Sequence, residues 1–217
     1  MNLWKHFKTI TKHKLLVLDG CFKVGLYWQG LTHDMSKYSP TEFFNGVRYF
    51  QGYRSPISAE REDKGYSEAW MHHKGRNKHH YEYWTDMNLE TRQYESRPMP
   101  RKYLVEMVMD RRAACIVYQG KKYTDSSALN YFTGSIEKQR MHPQTARELD
   151  YILHMLSEKG EKATFRYLRR EVLNGKPFPW EESGCRKAFC NNRKGRRKRR
   201  SSSILCKRTW QGEAFCR

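Results

Sequence analysis

The chain has 217 residues, which is long enough for one domain with a sizeable core and too short for two large domains. Aromatic residues make up 14% of it, and this argues against general disorder even though 30% of the residues are charged. The formal net charge is +19, but residues 185–217 hold twelve Lys and Arg against one acidic residue, so residues 1–184 carry only +8. The charge therefore belongs mainly to the C-terminal end and does not mark the whole chain as a nucleic-acid binder.

The N-terminal stretch MNLWKHFKTITKHKLL is basic throughout and lacks the apolar segment of a signal peptide. No run of about 18 apolar residues, the length that spans a bilayer, occurs in the sequence. We therefore expect a cytoplasmic protein without membrane contact. In that reducing compartment we expect Cys21 and Cys115 to be small buried side chains rather than disulfide partners.

The first two elements are predicted to be helices. Apolar residues return at helical spacing from residue 5 to about 29, which predicts one long helix. Ser39, Pro40 and Glu42 then fit an N-cap, a first-turn proline and a capping-box glutamate. A second helix should therefore begin there and run to about Phe50.

The middle of the chain carries weaker signals. Residues 51–66 are polar and rich in turn formers, so we predict a loop. A short helix is predicted over Ser67–His73. Residues 81–87 should continue as helix or turn, and residues 86–98 have little periodicity and are predicted to be a connection.

Pro100 opens the clearest predicted helix, which ends at Gly120 and contains helix-forming residues throughout. Two further helices are predicted over 142–159 and 161–173, because apolar side chains return there at i, i+3 and i+4. No alternating strand pattern of convincing length occurs, so we predict an all-α fold. Residues 185–217 differ in composition and have no amphipathic period, so we predict that this tail is disordered.

Four of the nine histidines fall within the stretch HHKGRNKHH at 72–80. Such a cluster favours either a metal site or a solvated basic loop. In a continuous helix His72, His79 and His80 would share a face, and His73 would be paired with His80. A glycine within the stretch interrupts this pattern, so the sequence leaves open which of the four point inward.

His33 and Asp34 are adjacent, and a neutral imidazole beside a carboxylate suits divalent Mn, Fe, Co, Ni or Zn. One such dipeptide occurs by chance in many chains of this size, but His13 lies on the preceding predicted helix and adds to the set. Asp110 lies on a largely apolar face of the predicted helix after Pro100. A carboxylate there is costly unless it is paired or metal-bound, so Asp110 is either a metal ligand or the partner of a buried Arg or Lys.

Three segments carry a resemblance to a known family: HDMSKYSPTEF, REDKGYSEAWMHHKGRNKHHYEYW and MPRKYLVEMVMDRRAAC. They resemble a bacterial and phage domain family of unknown function, over about residues 10–180. The order of histidines and aspartates, with a lysine three residues after Asp34, also looks like the HD-domain superfamily of metal-dependent phosphohydrolases. The resemblance implies one HD-like helical bundle over residues 1–180, followed by the basic tail at 185–217.

The resemblance also implies a metal centre with one or two divalent ions. The ligands that it implies for one ion are His13, His33, Asp34 and Asp110. Members with two metals recruit further histidines, and we expect His73 and His80 to fill that role, with His72 and His79 either supporting the ligands from behind or in contact with substrate phosphate. No Gly-Tyr-Pro follows the cluster, which is a departure from the branch that acts on cyclic dinucleotides.

The function implied is hydrolysis of a small phosphomonoester or phosphodiester, for example a nucleotide. Asp34 or Glu68 would position or deprotonate the attacking water, with Lys37 in the same catalytic set. Other basic residues could neutralise the phosphate, although for each one alone a solvated surface position is the simpler interpretation. They are Lys74, Arg76 and Lys78, with Arg111 or Arg112 from the adjoining helix.

Two other functions fit the same sequence. The protein could be a metal-binding helical protein without catalysis, or a nucleic-acid binder through the basic run Asn192–Arg200, whose attraction to phosphates would weaken with salt. The four tail cysteines are spaced C-x4-C-x15-C-x9-C, and the second pair is too wide for a structural zinc site. The abrupt change in composition is also what a shifted reading frame produces, so the tail could be a frameshift product.

Overall fold

In the computed structural model, which describes residues 2–181, the first helical segment is interrupted at a glycine. Helix α1 spans Asn2–Val24 and α2 spans Tyr27–Thr32. Gly25 between them has φ of +91°, a left-handed value that residues with side chains rarely adopt. The single helix predicted over 5–29 is therefore wrong beyond Val24, because the chain changes direction there and starts a short second helix.

Helix α3 spans Pro40–Arg48 and follows a 3-10 turn at Met35–Tyr38. It begins at the predicted proline but ends before Phe50. The predicted capping box is wrong, because the Ser39 side chain makes no capping hydrogen bond and Glu42 is turned inward. Glu42 is 6% exposed, and its carboxylate contacts histidine side chains instead of the helix N-terminus.

The segment predicted as a loop at 51–66 contains helix α4, Pro56–Lys64. Only a narrow side of this helix is buried, which explains why it has no clear apolar period. Its buried glutamate, Glu60, accepts hydrogen bonds from Asn45 Nδ2 at 2.6 Å and from Ser67 Oγ at 2.5 Å. A polar contact therefore holds α4 where the sequence pattern offered little apolar burial.

Helix α5, Glu68–Lys74, confirms the short helix predicted before the histidine cluster. Ser67 is its N-cap, and the Ser67 hydroxyl accepts a hydrogen bond from the backbone of Trp70 at 2.9 Å. The helix ends at Gly75, so the second half of the cluster leaves the helix. This ending allows His73, His79 and His80 to approach a common centre from different directions.

Residues 86–98, predicted as a plain connection, form part of a small hairpin. Strand β1, Thr85–Asn88, pairs with β2, Gln93–Ser96, in antiparallel register with Thr85 opposite Ser96. A 3-10 turn at Tyr81–Tyr83 precedes β1. Both strands are mostly exposed, so they lack the apolar alternation that would have predicted them.

Helix α6, Arg101–Gln119, confirms the clearest predicted helix and forms the centre of the core. It packs against α1, where Gly20 lies so close that an added Cβ would come within 2.7 Å of Met109 Sδ. The side chains of α6 that have no solvent exposure are Leu104, Val105, Val108, Met109 and Ala113. The metal-binding candidates on α1 and α6 are therefore held on two helices in close contact.

The last helices complete the all-α fold that the sequence predicted. Helices α7, Ser127–Thr133, and α8, Glu137–Arg140, lead into α9, Pro143–Tyr167, and a π-helical turn follows at Leu168–Val172. Gly160 interrupts α9 with φ of +74° and ψ of +173°, so the two helices predicted over 142–159 and 161–173 are confirmed as two segments joined at this glycine.

The chain forms two units, residues 1–177 and 178–217, and only residues 178–181 of the second are described. The predictions for 185–217, including its disorder, cysteines, nucleic-acid contact and reading frame, lie outside the described residues. Within 2–181, Cys21 and Cys115 are free thiols, the first buried and the second half-buried. No helix in that range is both long and apolar enough to cross a bilayer.

The contact between α3 and α1 generates a stability prediction. A Cβ added at Gly46 would lie 2.3 Å from Nε2 of His6, a buried side chain whose ring contacts Phe43 and Phe50. We expect Gly46→Ala to lower the free energy of unfolding by about 1 to 3 kcal/mol, as overpacking does elsewhere. Urea denaturation measures it, with Gly134→Ala as control, because a Cβ there meets nothing closer than 3.4 Å. Equal stability of the two variants would contradict the packing described for His6.

Candidate metal centre

Asp34 lies between α2 and the 3-10 turn and is 2% exposed. Its backbone has φ of +52° and ψ of +26°, the left-handed conformation that is uncommon for residues other than glycine. Lys14 of α1 anchors this turn, because its ammonium donates to the backbone carbonyls of Leu31 and His33, both at 2.9 Å. The strained turn places the Asp34 carboxylate between α1, α5 and α6.

One oxygen of Asp34, Oδ2, faces a first group of donors. It lies 3.5 Å from His13 Nε2 and 3.3 Å from His33 Nε2. Asp110 Oδ1 lies 2.9 Å from His13 Nε2 and 3.5 Å from His33 Nε2. One ligand atom from each of these four residues lies within 4.8 Å of the others. We call this group site A, and its members are His13, His33, Asp34 and Asp110.

The other oxygen of Asp34, Oδ1, faces a second group. It lies 3.2 Å from His73 Nε2 and 3.4 Å from His79 Nε2. His80 Nε2 lies 2.9 Å from His73 Nε2. These four residues again offer ligand atoms within 4.8 Å of one another. We call this group site B, and Asp34 is the residue that both sites share.

Two glutamates orient the histidines by contacting their Nδ1 atoms, on the side of each ring that faces away from Asp34. Glu106 Oε1 lies 3.0 Å from Nδ1 of His33 and 3.1 Å from Nδ1 of His79. Glu42 Oε2 lies 2.7 Å from Nδ1 of His73. Because an ionised carboxylate only accepts hydrogen bonds, each of these Nδ1 atoms donates, and Nε2 is the ring atom that faces Asp34. His33, His79 and Glu106 also lie close enough to form a third candidate group, but their contacts use these same Nδ1 hydrogen bonds.

Several buried atoms in the two sites make no hydrogen bond in the described part of the chain. They are His13 Nε2, His33 Nε2, His79 Nε2 and both carboxylate oxygens of Asp34. Buried polar atoms without a partner are rare in folded proteins, so this concentration needs a cause. They face one another at 3.3–3.5 Å, and Asp34 Oδ2 also lies 2.6 Å from Lys37 Nζ, so their contacts are ion pairs without hydrogen-bond geometry.

Divalent metal ions fit this arrangement. Ligands about 2.1 Å from an ion are about 3.0 Å apart in octahedral and about 3.4 Å apart in tetrahedral geometry. The contacts from His13 and His33 to Asp34 and Asp110 are 2.9–3.5 Å, which covers this range. The buried His, Asp and Glu groups could therefore hold a metal ion.

The ionisation of the carboxylates agrees with this fit. Burial alone would raise the pKa of Asp34, but His33, Lys37 and His73 outweigh burial and hold that pKa well below its usual value. Burial likewise opposes ionisation of Asp110, and contacts with His13 and His33 keep its pKa well below the usual range. Both carboxylates are therefore charged, as metal ligands must be.

The histidines divide into two kinds. Burial and the neighbouring imidazoles lower the pKa of both His79 and His80, so these two are neutral. Burial would also lower the pKa of His33 and His73, but the surrounding carboxylates, Asp34 first among them, raise both. Protons on the latter two offset buried negative charge, and a metal cation would replace those protons.

The structure brings together His13, His33, Asp34 and Asp110, the four ligands that the resemblance implied for one ion. It also places His73 and His80, the two further expected ligands, in one group. His79, which we expected behind the ligands or at the phosphate, lies in site B with them. His72 lies outside both sites, with its Nδ1 2.6 Å from Glu42 Oε1.

Most residues predicted to assist catalysis or bind phosphate make other contacts. Glu68 is half exposed and lies 3.6 Å from Lys64, so its predicted role in activating water has no support in the geometry. Arg76 donates to the His72 carbonyl, and Lys78 lies over two tyrosine rings. Arg111 pairs with Glu137, Arg112 pairs with Glu161, and Lys74 has no contact with either site. Among the predicted phosphate-binding and catalytic cations within 2–181, Lys37 alone contacts a candidate metal ligand, with its Nζ 2.6 Å from Asp34 Oδ2.

Sequence reasoning missed both orienting glutamates. Glu106 lies one turn before Asp110 on the same face of α6, so two carboxylates on one apolar face were an available signal. Glu42 was assigned to a capping box, and no local pattern distinguishes that role from a contact across 31 residues of sequence.

The fold and the two sites define a class: an all-α protein with a buried histidine and aspartate cluster that could hold a metal ion. A family model described as a family of unknown function (DUF5662) matches residues 2–155, and the chain belongs to this family. The matched residues include every member of sites A and B. No curated protein and no solved structure shows significant similarity to the chain.

The role of Glu106 can be tested by metal binding. We expect Glu106→Gln to weaken metal affinity about 10- to 100-fold, because a neutral amide oxygen is a weaker acceptor than the carboxylate for the Nδ1 atoms of both His33 and His79. Competition with a chromophoric chelator measures this affinity. Glu158→Gln is the matched control, since that carboxylate is 66% exposed and contacts only His154 on its own helix. Unchanged affinity in Glu106→Gln would remove the orienting role.

Proposed function

We propose that the protein is a divalent-metal-dependent phosphohydrolase of the HD type that holds two metal ions. The observation that carries this proposal is the position of Asp34, whose two carboxylate oxygens face two separate donor groups. Paired metal sites with a shared ligand, about 3.5 to 4 Å apart, are typical of enzymes that cleave phosphate esters.

The donor atoms favour certain metals. Each site offers imidazole nitrogen together with carboxylate oxygen, and this combination suits Mn, Fe, Co, Ni or Zn better than Mg or Ca, which prefer oxygen alone. When bound, the ions would lower the pKa of a water molecule toward neutrality and polarise a phosphoryl oxygen. The remaining roles fall to the side chains of this chain.

Asp34 would act as the shared ligand rather than as a general base, because both of its oxygens face donor groups. Lys37 would act on the substrate side. Its ammonium contacts Asp34, and its side chain also lines a cavity of about 80 Å³. Glu42 lines the same cavity from the side of His73. This space is large enough for a phosphate group or two to three water molecules, since each water occupies about 30 Å³.

The substrate is therefore a phosphomonoester or phosphodiester whose phosphate reaches the cavity, for example a nucleotide. Lys37 would neutralise one phosphate oxygen, as a compact cation does at other phosphate sites. Burial opposes a charge on Lys37, but the adjacent Asp34 raises the pKa of the ammonium above its usual value. The lysine therefore stays charged at all physiological pH values.

Metal content tests the shared ligand. We expect about two equivalents of Mn or Co in the wild-type protein, about one in Asp110→Asn and almost none in Asp34→Asn, because one substitution affects site A and the other affects both sites. Elemental analysis after dialysis measures the content, and circular dichroism confirms folding. Less than about a tenth of an equivalent in the wild type would overturn the proposal.

Turnover tests catalysis separately from metal binding. We expect release of phosphate or of a nucleoside from a panel of nucleotides and a generic aryl phosphate, and none in His33→Ala or Asp34→Ala. Lys37→Gln should lower kcat/KM about 10- to 100-fold through loss of one charged contact, whereas Lys12→Gln on the exposed side of α1 should not. Metal binding without turnover of any substrate would favour the alternative of a metal-binding protein without catalysis.

A further inference from the structure

A cleft separate from sites A and B lies between the end of α1 and the last part of α9. Its volume is about 760 Å³. The cations that line it are Lys23, Lys162, Arg166, Arg169 and Arg170. Its single carboxylate, Glu161, is bound by Arg112 from outside this set. We call this feature the basic cleft.

Four of these cations form a row along one helical side. Lys162, Arg166, Arg169 and Arg170 are separated by four, three and one residues, so they project from neighbouring turns. At a rise of about 1.5 Å per residue the row is about 12 Å long. Like charges at i and i+4 repel each other, so this arrangement weakens the helix unless an anion lies against it.

In the described part of the chain, the lack of ion pairs at these side chains also indicates a site for an anion. Within residues 2–181 the four cations in the row form no ion pair, and all four are exposed. Lys23 across the cleft pairs with Asp19 at 2.6 Å, but both side chains of that pair are about half exposed. Arg169 and Arg170 lie in the π-helical turn Leu168–Val172, a rare conformation that occurs often at functional sites.

We propose that the basic cleft binds the phosphate backbone of a single nucleic-acid strand. A linear row of cations fits an extended series of phosphates better than a compact nucleotide, whose phosphates need converging donors. A cleft of this volume also admits one strand more readily than a duplex. Lys23 is more than 130 residues before the row, so no run of basic residues in the sequence reveals the site.

This proposal is independent of the metal centre, and the two can fail separately. Binding is measured with the full chain in the presence of EDTA, so that neither metal nor turnover contributes. The probe is a fluorescently labelled oligo-dT of twelve nucleotides, and anisotropy is recorded over a range of salt concentrations. The basic tail at 185–217 is present in every variant, so its contribution cancels from the comparison.

The test variant is Arg166→Gln with Arg170→Gln, and the matched control is Lys121→Gln with Lys122→Gln, an equal loss of charge at an exposed turn. Each phosphate contact on a single strand contributes about 0.7 to the slope of log affinity against log salt, so the test variant should lose about 1.4 from that slope. At 0.1 M salt this corresponds to about a 25-fold loss of affinity. A second pair, Lys162→Gln with Arg169→Gln, should give a similar loss.

Equal losses in the test and control variants would overturn the proposal, because binding would then follow net charge alone. Unchanged binding in both cleft variants would overturn it as well, and so would a loss of binding to anionic phospholipid vesicles without a loss of oligonucleotide binding. Circular dichroism spectra and melting temperatures equal to those of the wild type show that each variant is folded. If the wild-type protein binds no metal or turns over no substrate, these outcomes still test the basic cleft.

Discussion

The buried carboxylate of Asp34 is the constraint on which the rest of the site depends. A charged group that is 2% exposed is costly unless other charges or donors surround it. Three parts of the chain meet this requirement: α1 with His13, α5 and the residues after it with their histidines, and the 3-10 turn with Lys37. Asp110 of α6 adds a second negative charge beside the same histidines. The packing of α1 against α6 therefore does more than form a core, because it holds His13 and Asp110 together in site A beside one oxygen of Asp34.

Charge balance around Asp34 explains why a pair of cations suits the site. Four carboxylates surround the histidines: Asp34, Asp110, Glu42 and Glu106, the pKa of each being lowered by its neighbours against the effect of burial. Lys37 offsets one of these charges. Without metal, protons on His33 and His73 offset two of the three remaining charges. Two divalent ions would offset the carboxylates more fully and would also contact the Nε2 atoms and the oxygens of Asp34 that make no hydrogen bond within residues 2–181.

The sequence predicted the elements whose signals are local. The helix from Pro100 to Gly120 has a strong run of helix formers, so it could be predicted without knowledge of the fold. Helix α4 and the β-hairpin could not, since α4 is held by the polar contacts of Glu60 and the strands are exposed. A periodic apolar pattern is the principal signal of secondary structure, and these elements have little of it.

The same distinction applies to the candidate site. His33 with Asp34, and Asp110 on an apolar face, stand out because their chemistry conflicts with their predicted surroundings. The position of His79 in site B depends on the end of α5 at Gly75, after which helical spacing no longer describes the chain. Glu42 and the cations of the basic cleft depend on contacts between distant segments. Such roles become visible only when tertiary structure is known.

Anomalous diffraction from crystals grown with Mn or Co tests the sharing of Asp34 most directly. Two peaks about 3.5 to 4 Å apart are predicted, one beside each oxygen of Asp34, with His13, His33 and Asp110 around the first. The histidines of site B should surround the second. A single peak that contacts only one oxygen of Asp34, or no peak at a metal edge under saturating metal, would contradict a centre in which this carboxylate joins two ions.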